Sequence, residues 1–358
     1  MTVTQTEQGD LMNRYDRTYG ALLGLALGDA LGFPALFHRA FQFPEKRREF
    51  IWRTNRDLAR ERVLRLTLPF THRLPPALLE PFPTDDTEYT VLSAQILLDT
   101  GGAREPAAFA AAWRARVLPR LGEALTGFAE RAALENLRSG LEPPATGNDN
   151  PQHYSDSAAV RAVASGLYAA GDPERAAALA AADAALTAAE DGLFAARAMA
   201  AAVALLAAGA PLAEAAAAAR AEFPAGSWIA RGDALARACA AEAAAPPDLA
   251  LTLGTRLINT VYSYGDAAPE TVPAALVIAE AAQGQLWPAV LLANALPKSA
   301  DSLPALVGAL CGACSGPAAV GAGWRALLNE CRGLCLPDVA GARLDALAAR
   351  LAAVGDRP

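Results

Sequence analysis

Tyr15–Leu31 reads YDRTYGALLGLALGDAL. Small and apolar residues recur at helical spacing through it, with Gly20, Gly24 and Gly28 one turn apart on a single face. Glycines in that register remove the side chains that normally hold helix axes apart. The stretch therefore predicts a buried first helix, ending near Asp29, that another helix can approach closely. A second glycine-bearing run, VGALCGACSG (Val307–Gly316), has Gly308 and Gly312 one turn apart and also reads as a tightly packed apolar helix.

Outward from these runs, 89 of the 358 residues are alanine and 53% belong to the hydrophobic set. That content excludes a disordered chain, and alanine is the strongest helix former, so an all-α bundle is expected. Thr87–Leu98 reads as a strong helix and Glu105–Arg138 as one or two more. Glu142–Tyr154 reads as a polar, proline-bearing loop of the kind that carries function. Ser157–Phe223 supplies three or four Ala-rich helices with turns at Gly171-Asp172-Pro173, Asp191-Gly192 and Gly209-Ala210-Pro211. Residues 33–83 change to aromatic, Arg-rich and Pro-containing sequence, expected as an inserted or extended segment over the surface. With no solenoid period, β alternation or linker, residues 1–358 read as one domain.

Net charge is −7 and the basic residues are scattered, which leaves no stripe to neutralise a run of phosphates. Nucleic acid is not expected as a partner. The N-terminus lacks a charged region followed by an apolar one, and the apolar run Ala201–Ala215 is broken by Gly209 and Pro211. No membrane association is expected, and a cytoplasmic location is. Four of five cysteines form close pairs, Cys311/Cys314 and Cys331/Cys335. Zinc and buried inert thiols both account for that spacing. The apolar helix around Cys311 favours thiols.

In so apolar a chain each polar residue beside a helix has to be solvated, paired or used. Thr84-Asp85-Asp86-Thr87 opens a helix: Thr84 suits the N-cap, and the aspartates suit the positive end of the macrodipole. The same hydroxyl and carboxylates are hard donors for Mg²⁺, Mn²⁺ or Ca²⁺. Asp301-Ser302 repeats the arrangement at a glycine-bearing helix, as a plain cap or as further cation ligands. Tyr154-Ser155-Asp156-Ser157 leads into a helix whose N–H groups could hold phosphate, and Arg161 suits a phosphate or an ion pair with Asp156.

With these segments in order, the chain resembles the ADP-ribosylglycohydrolase superfamily, which includes dinitrogenase-reductase-activating glycohydrolases and ADP-ribosylhydrolases, as a divergent subgroup. The matching stretches are GALLGLALGDALGFP (Gly20–Pro34), PTDDTEYTVLSAQILLD (Pro83–Asp99), YSDSAAVR (Tyr154–Arg161), AAEDGLFAARAMAAAVALL (Ala188–Leu206), PETVPAALVIAEAA (Pro269–Ala282) and SADSLPALVGALCGACSG (Ser299–Gly316). The resemblance implies an all-α bundle holding one or two divalent ions, Mg²⁺ or Mn²⁺. It implies hydrolysis of a ribosyl C1″ linkage in an ADP-ribosylated substrate or related ADP-ribose derivative. Carried over by position, Thr84, Asp85, Asp86, Asp301 and Ser302 are the implied metal ligands, Asp86 and Asp301 the implied catalytic residues, and Tyr154, Ser155, Asp156, Ser157 and Arg161 the implied substrate loop.

Three positions depart from the family pattern. Ser299 stands where the first aspartate of the C-terminal motif is usual, Leu36 near a usual glutamate, and Ala188 after Thr187 where a histidine is common. Glu45, Glu49 and His38 are candidates to replace the missing groups. The departures leave a second reading open: a catalytically altered member that binds an ADP-ribose-like ligand or small N-riboside without hydrolysing ADP-ribosyl protein.

Overall fold

The computed structural model describes residues 12–39, 81–258, 265–296, 299 and 302–356. Among these the regular structure is helical: α1 (Arg14–Arg39), α2 (Asp85–Thr100), α3 (Pro106–Arg116), α4 (Phe128–Arg138), α5 (Ala145–Asn148), α6 (Ser157–Tyr168), α7 (Pro173–Ala184) and α8 (Glu190–Ala207). The second half continues with α9 (Leu212–Ala221), α10 (Trp228–Glu242), α11 (Pro246–Arg256), α12 (Ala268–Ala281), α13 (Leu286–Asn294), α14 (Ser302–Ser315), α15 (Ala322–Leu328) and α16 (Leu344–Ala352). The all-α expectation holds. None of the described helices is long and apolar enough to cross a membrane.

The glycine face of α1 packs on the glycine face of α14. A Cβ placed on Gly20, Gly24 or Gly28 would fall on the carbonyl of Gly312, Gly308 or Pro304 respectively, far inside contact distance. Backbone therefore touches backbone along three turns, and no side chain larger than hydrogen fits. Against expectation, α1 does not stop near Asp29 but continues to Arg39. Asp29 is fully buried, so it is a tethered residue inside the helix and not a solvated end. Of the segment 33–83, residues 33–39 continue α1 and 40–80 lie outside the described residues. Glu45 and Glu49 fall there, and the side chains of Leu36 and His38 are also outside the description.

Around this pair the Ala-rich middle forms the core. Helix α8, with Met199, Ala200 and Val203 fully buried, packs on α6, α7 and α9, while α2 packs on α6 and α10 on α12. Asp191-Gly192 is not a turn, because both residues lie in the first turn of α8. Glycine is required at 192 for a packing reason: the carbonyl of His153 occupies the space a Cβ would take. The Glu142–Tyr154 loop contains the short helix α5.

At the start of α7, Asp172 accepts a 2.9 Å hydrogen bond from the Arg175 N–H. Asp172→Ala is expected to lower stability by about 1 kcal/mol, the usual loss for a deleted N-cap, read as a shift in urea midpoint. All five cysteines are free. Burial pushes the Cys311 thiol well up and the Cys314 thiol to about 11, which suits packed, unreactive groups.

Candidate active site

Thr84 stands at the N-cap of α2, but its side chain makes no cap bond there. Its hydroxyl donates instead to Asp29 Oδ1. Asp29 Oδ2 accepts from the Thr84 N–H (2.8 Å), the Thr87 N–H (3.0 Å) and the Thr87 hydroxyl (2.5 Å). The cap of α2 thus comes from α1, 55 residues away in sequence. Asp29 satisfies first-turn donors that would otherwise lack partners. Burial raises its pKa, and the hydrogen bonds from Thr84 and Thr87 pull it back down. Among the described residues this aspartate fixes where the Asp85-Asp86 turn sits.

Asp86 is buried and Asp85 partly exposed. The Ser302 hydroxyl, first residue of α14, stands 3.5 Å from Asp86 Oδ1. The two helix starts read separately in the sequence are therefore brought together, as a consequence of the α1–α14 contact. Asp301 and Ala300 lie outside the described residues. Ser299 is buried, its hydroxyl without a hydrogen-bond partner among the described residues. Ala188 is likewise buried. Although part of the residue reaches solvent, the Asp85 carboxyl lines a small cavity and its pKa is raised, first by lost hydration there and then by repulsion from Asp29 and Glu130. A cavity of about 20 Å³ is lined by Asp85, Asp86, Tyr89, Glu130, Ser157 and Arg161, room for one water.

The α6 segment adjoins this cavity through Ser157 and Arg161. Tyr154 lies between His153, ring centroids 5.4 Å apart, and Trp228 at 5.8 Å. The Ser155 hydroxyl accepts from the Ser157 N–H at 3.3 Å. The expected Arg161–Asp156 pair does not form. Arg161 is buried and donates to Glu130 (3.0 Å), Asp183 (3.3 Å) and Thr187 (2.8 Å) while stacking over Trp113. Two buried acids from α4 and α7 hold the guanidinium in place of Asp156, and Arg161 lines the small cavity beside Asp85 and Asp86. Asp156 itself is 1% exposed.

Sequence reading missed Asp29, Glu130 and Asp266. Asp29 carried a signal, a carboxylate on a helix whose neighbours are all small and apolar. Glu130 carried none, since a glutamate in the first turn of a helix is ordinary. Chemically the assembled set is all oxygen: the Thr84 and Ser302 hydroxyls and the Asp85 and Asp86 carboxylates. Thr84 spends its proton on Asp29, which leaves its lone pairs available. Such a set fits a hard divalent cation, whose charge would offset the mutual repulsion of the aspartates. Among the described residues no three His, Cys, Asp or Glu side chains converge as a ready metal cluster, so hydroxyls or further ligands have to complete any cation shell here.

The ADP-ribosylglycohydrolase family model matches residues 10–358. A solved structure described as an ADP-ribosylglycohydrolase-related protein complex is 25% identical, with a TM-score of 0.63 over 96% of this chain and 99% of that one. No curated protein sequence compared with the chain is similar enough to count as a match. With a family model spanning nearly the whole chain and a neighbour that shares the helical fold end to end, the chain belongs to the ADP-ribosylglycohydrolase family and is a hydrolase acting on glycosyl bonds.

Proposed function

We propose that the protein hydrolyses a ribosyl C1″ linkage in an ADP-ribosylated substrate or related ADP-ribose derivative, with one or two Mg²⁺ or Mn²⁺ ions held by Thr84, Asp85, Asp86, Asp301 and Ser302. The observation that carries this reading is the approach of Ser302 to within 3.5 Å of Asp86 across 216 residues of sequence. It puts oxygen donors from two helix starts around one point. A bound divalent cation supplies a water of lowered pKa and polarises the sugar hydroxyls.

The chain's own residues do the rest. Asp86 orients the attacking water and takes its proton, and the resemblance to the family assigns Asp301 the same work. The positive end of α6, with the Ser155 and Ser157 hydroxyls, suits the phosphates of the ligand, and Tyr154 borders them. As the C1″ bond breaks, the developing oxocarbenium charge is stabilised by the surrounding carboxylates. Glu130 and Asp29 act as positioning residues: one lines the small cavity, the other holds the α2 turn.

Asp86→Asn, which keeps the shape and removes the base, is expected to lower kcat/KM about 100-fold, or 2.7 kcal/mol, in an assay of ADP-ribose release with Mg²⁺. Unchanged turnover in that variant would sink the reading. The buried hydroxyl of Ser299 favours the second reading, a ligand-binding member with lost turnover. That reading predicts ADP-ribose binding by the wild-type protein with no release from any ADP-ribosyl substrate.

A further inference from the structure

We propose that Asp156 and Asp266, with the hydroxyl oxygens of Thr271 and Ser302, form a binding site for a hard divalent cation at the junction of α6, α12 and α14. The backbone creates the junction. Ser155 and Ala267 form an isolated antiparallel bridge, the Asp156 N–H donates to the Asp266 carbonyl at 2.8 Å, and the Ala268 N–H donates to the Tyr154 carbonyl at 2.9 Å. This short pairing sets Asp156 and Asp266 side by side, each just before a helix. Both positions are fixed by main-chain bonds, so the two carboxylates cannot drift apart to relieve their repulsion.

The Asp156 side chain points to a ligand. It is 1% exposed, stands at the N-cap of α6 without capping it, and among the described residues neither of its oxygens has a partner in hydrogen-bonding geometry. Asp266 Oδ1 is also buried without a partner. The Thr271 and Ser302 hydroxyls lie close enough to Asp156 to favour its charged form, while the Thr271 hydroxyl donates to the Ala267 carbonyl at 3.3 Å and the Ser302 hydroxyl stands 3.5 Å from Asp86. Arg161, the buried cation nearby in sequence, is occupied by Glu130 and Asp183. A buried carboxylate with no donor is ordinarily too costly to keep, because losing its hydration has to be compensated by a partner. Oxygen donors from four residues on three elements, with two negative charges between them, offer a hard cation such as Mg²⁺ or Mn²⁺ what an isolated Asp lacks.

The site shares Ser302 with the Asp86 cluster but does not rest on the glycohydrolase reading. The test counts Mn²⁺ bound to the full chain by electron paramagnetic resonance, after EDTA treatment, in wild type, Asp156→Asn and Asp266→Asn. Each variant is expected to lose one Mn²⁺ per chain or to bind it at least tenfold more weakly. In EDTA each is expected to melt at or above the wild-type temperature, since a buried repulsion has been removed. The same Mn²⁺ count and Kd in Asp156→Asn would overturn the inference, and so would a lower melting temperature of that variant in EDTA, which would mark Asp156 as a structural acceptor. If Asp156→Asn does not fold, the same readings on Asp266→Asn, whose residue is partly exposed, decide it. Mn²⁺ binding that depends on Asp156 in a protein with no turnover would remove the proposed activity and leave this site standing. Turnover lost in Asp86→Asn with Mn²⁺ binding untouched in Asp156→Asn would do the reverse.

Discussion

Arg161→Met is expected to cost about 3–5 kcal/mol of stability, the range found when one member of a buried ion pair is removed. Arg161, Glu130 and Asp183 are all nearly excluded from solvent. Methionine fills similar space but leaves two carboxylates without their cation, with only the 2.8 Å bond from Ser93 remaining to Asp183 Oδ2. It also removes the guanidinium from the face of Trp113 and the donor to Thr187. Most of the expected loss comes from the abandoned acids, so Arg161→Met combined with Glu130→Gln and Asp183→Asn should recover a large part of it. Urea unfolding of the single and triple variants checks this. A single variant within about 1 kcal/mol of wild type, well below the range for a broken buried pair, would show that the network contributes little.

Gly24→Ala is the second large effect. Adding methylenes to a packed core ordinarily costs about 1–3 kcal/mol. Here the obstacle is the Gly308 carbonyl, a backbone atom that no rotamer change can move aside. A loss of about 3 kcal/mol is expected, even after the roughly 1 kcal/mol that alanine gains over glycine in a helix. Gly308→Ala should behave alike, and the double variant should lose less than the sum, because both insertions demand the same separation of α1 from α14. Gly323→Ala, in α15 with open space where its Cβ would go, is the control and should be neutral or stabilising. Thermal melts decide between them. Equal melting of Gly24→Ala and wild type would show that the helices can part freely. Separation would also slacken the Asp29 tether on Thr84 and Thr87, so activity should fall with stability.

Parts of the candidate site were legible because the chain is so poor in polar groups. Thr84-Asp85-Asp86 and Ser302 stood out against alanine, and both prove to be helix starts at one place. The sequence places a helix end near Asp29, but the helix runs on to Arg39. The real partners of Asp29 are Thr84 and Thr87, and nothing within a turn of it announces them. The Arg161–Asp156 pairing failed for a related reason. Nearness in sequence proposed it, but Glu130 and Asp183 arrive from other helices and hold the guanidinium first. Asp266 shows no local pattern at all, and its weight comes only from the bridge that sets it beside Asp156.

The sequence by itself determined the helical character of the body, the glycine face of α1, the glycine-bearing run of α14 and the family. Each of these is a repeat of 3.6 residues, a propensity or a motif, written within a few turns of chain. Only the tertiary structure decided that the α1 and α14 glycine faces meet, that Asp29 caps α2 from outside, and that Asp156 is buried beside Asp266. Which face meets which depends on close packing between elements more than 200 residues apart, as Ser302 and Asp86 are. Local spacing specifies that a helix has a face, and the shapes of all its neighbours select the partner.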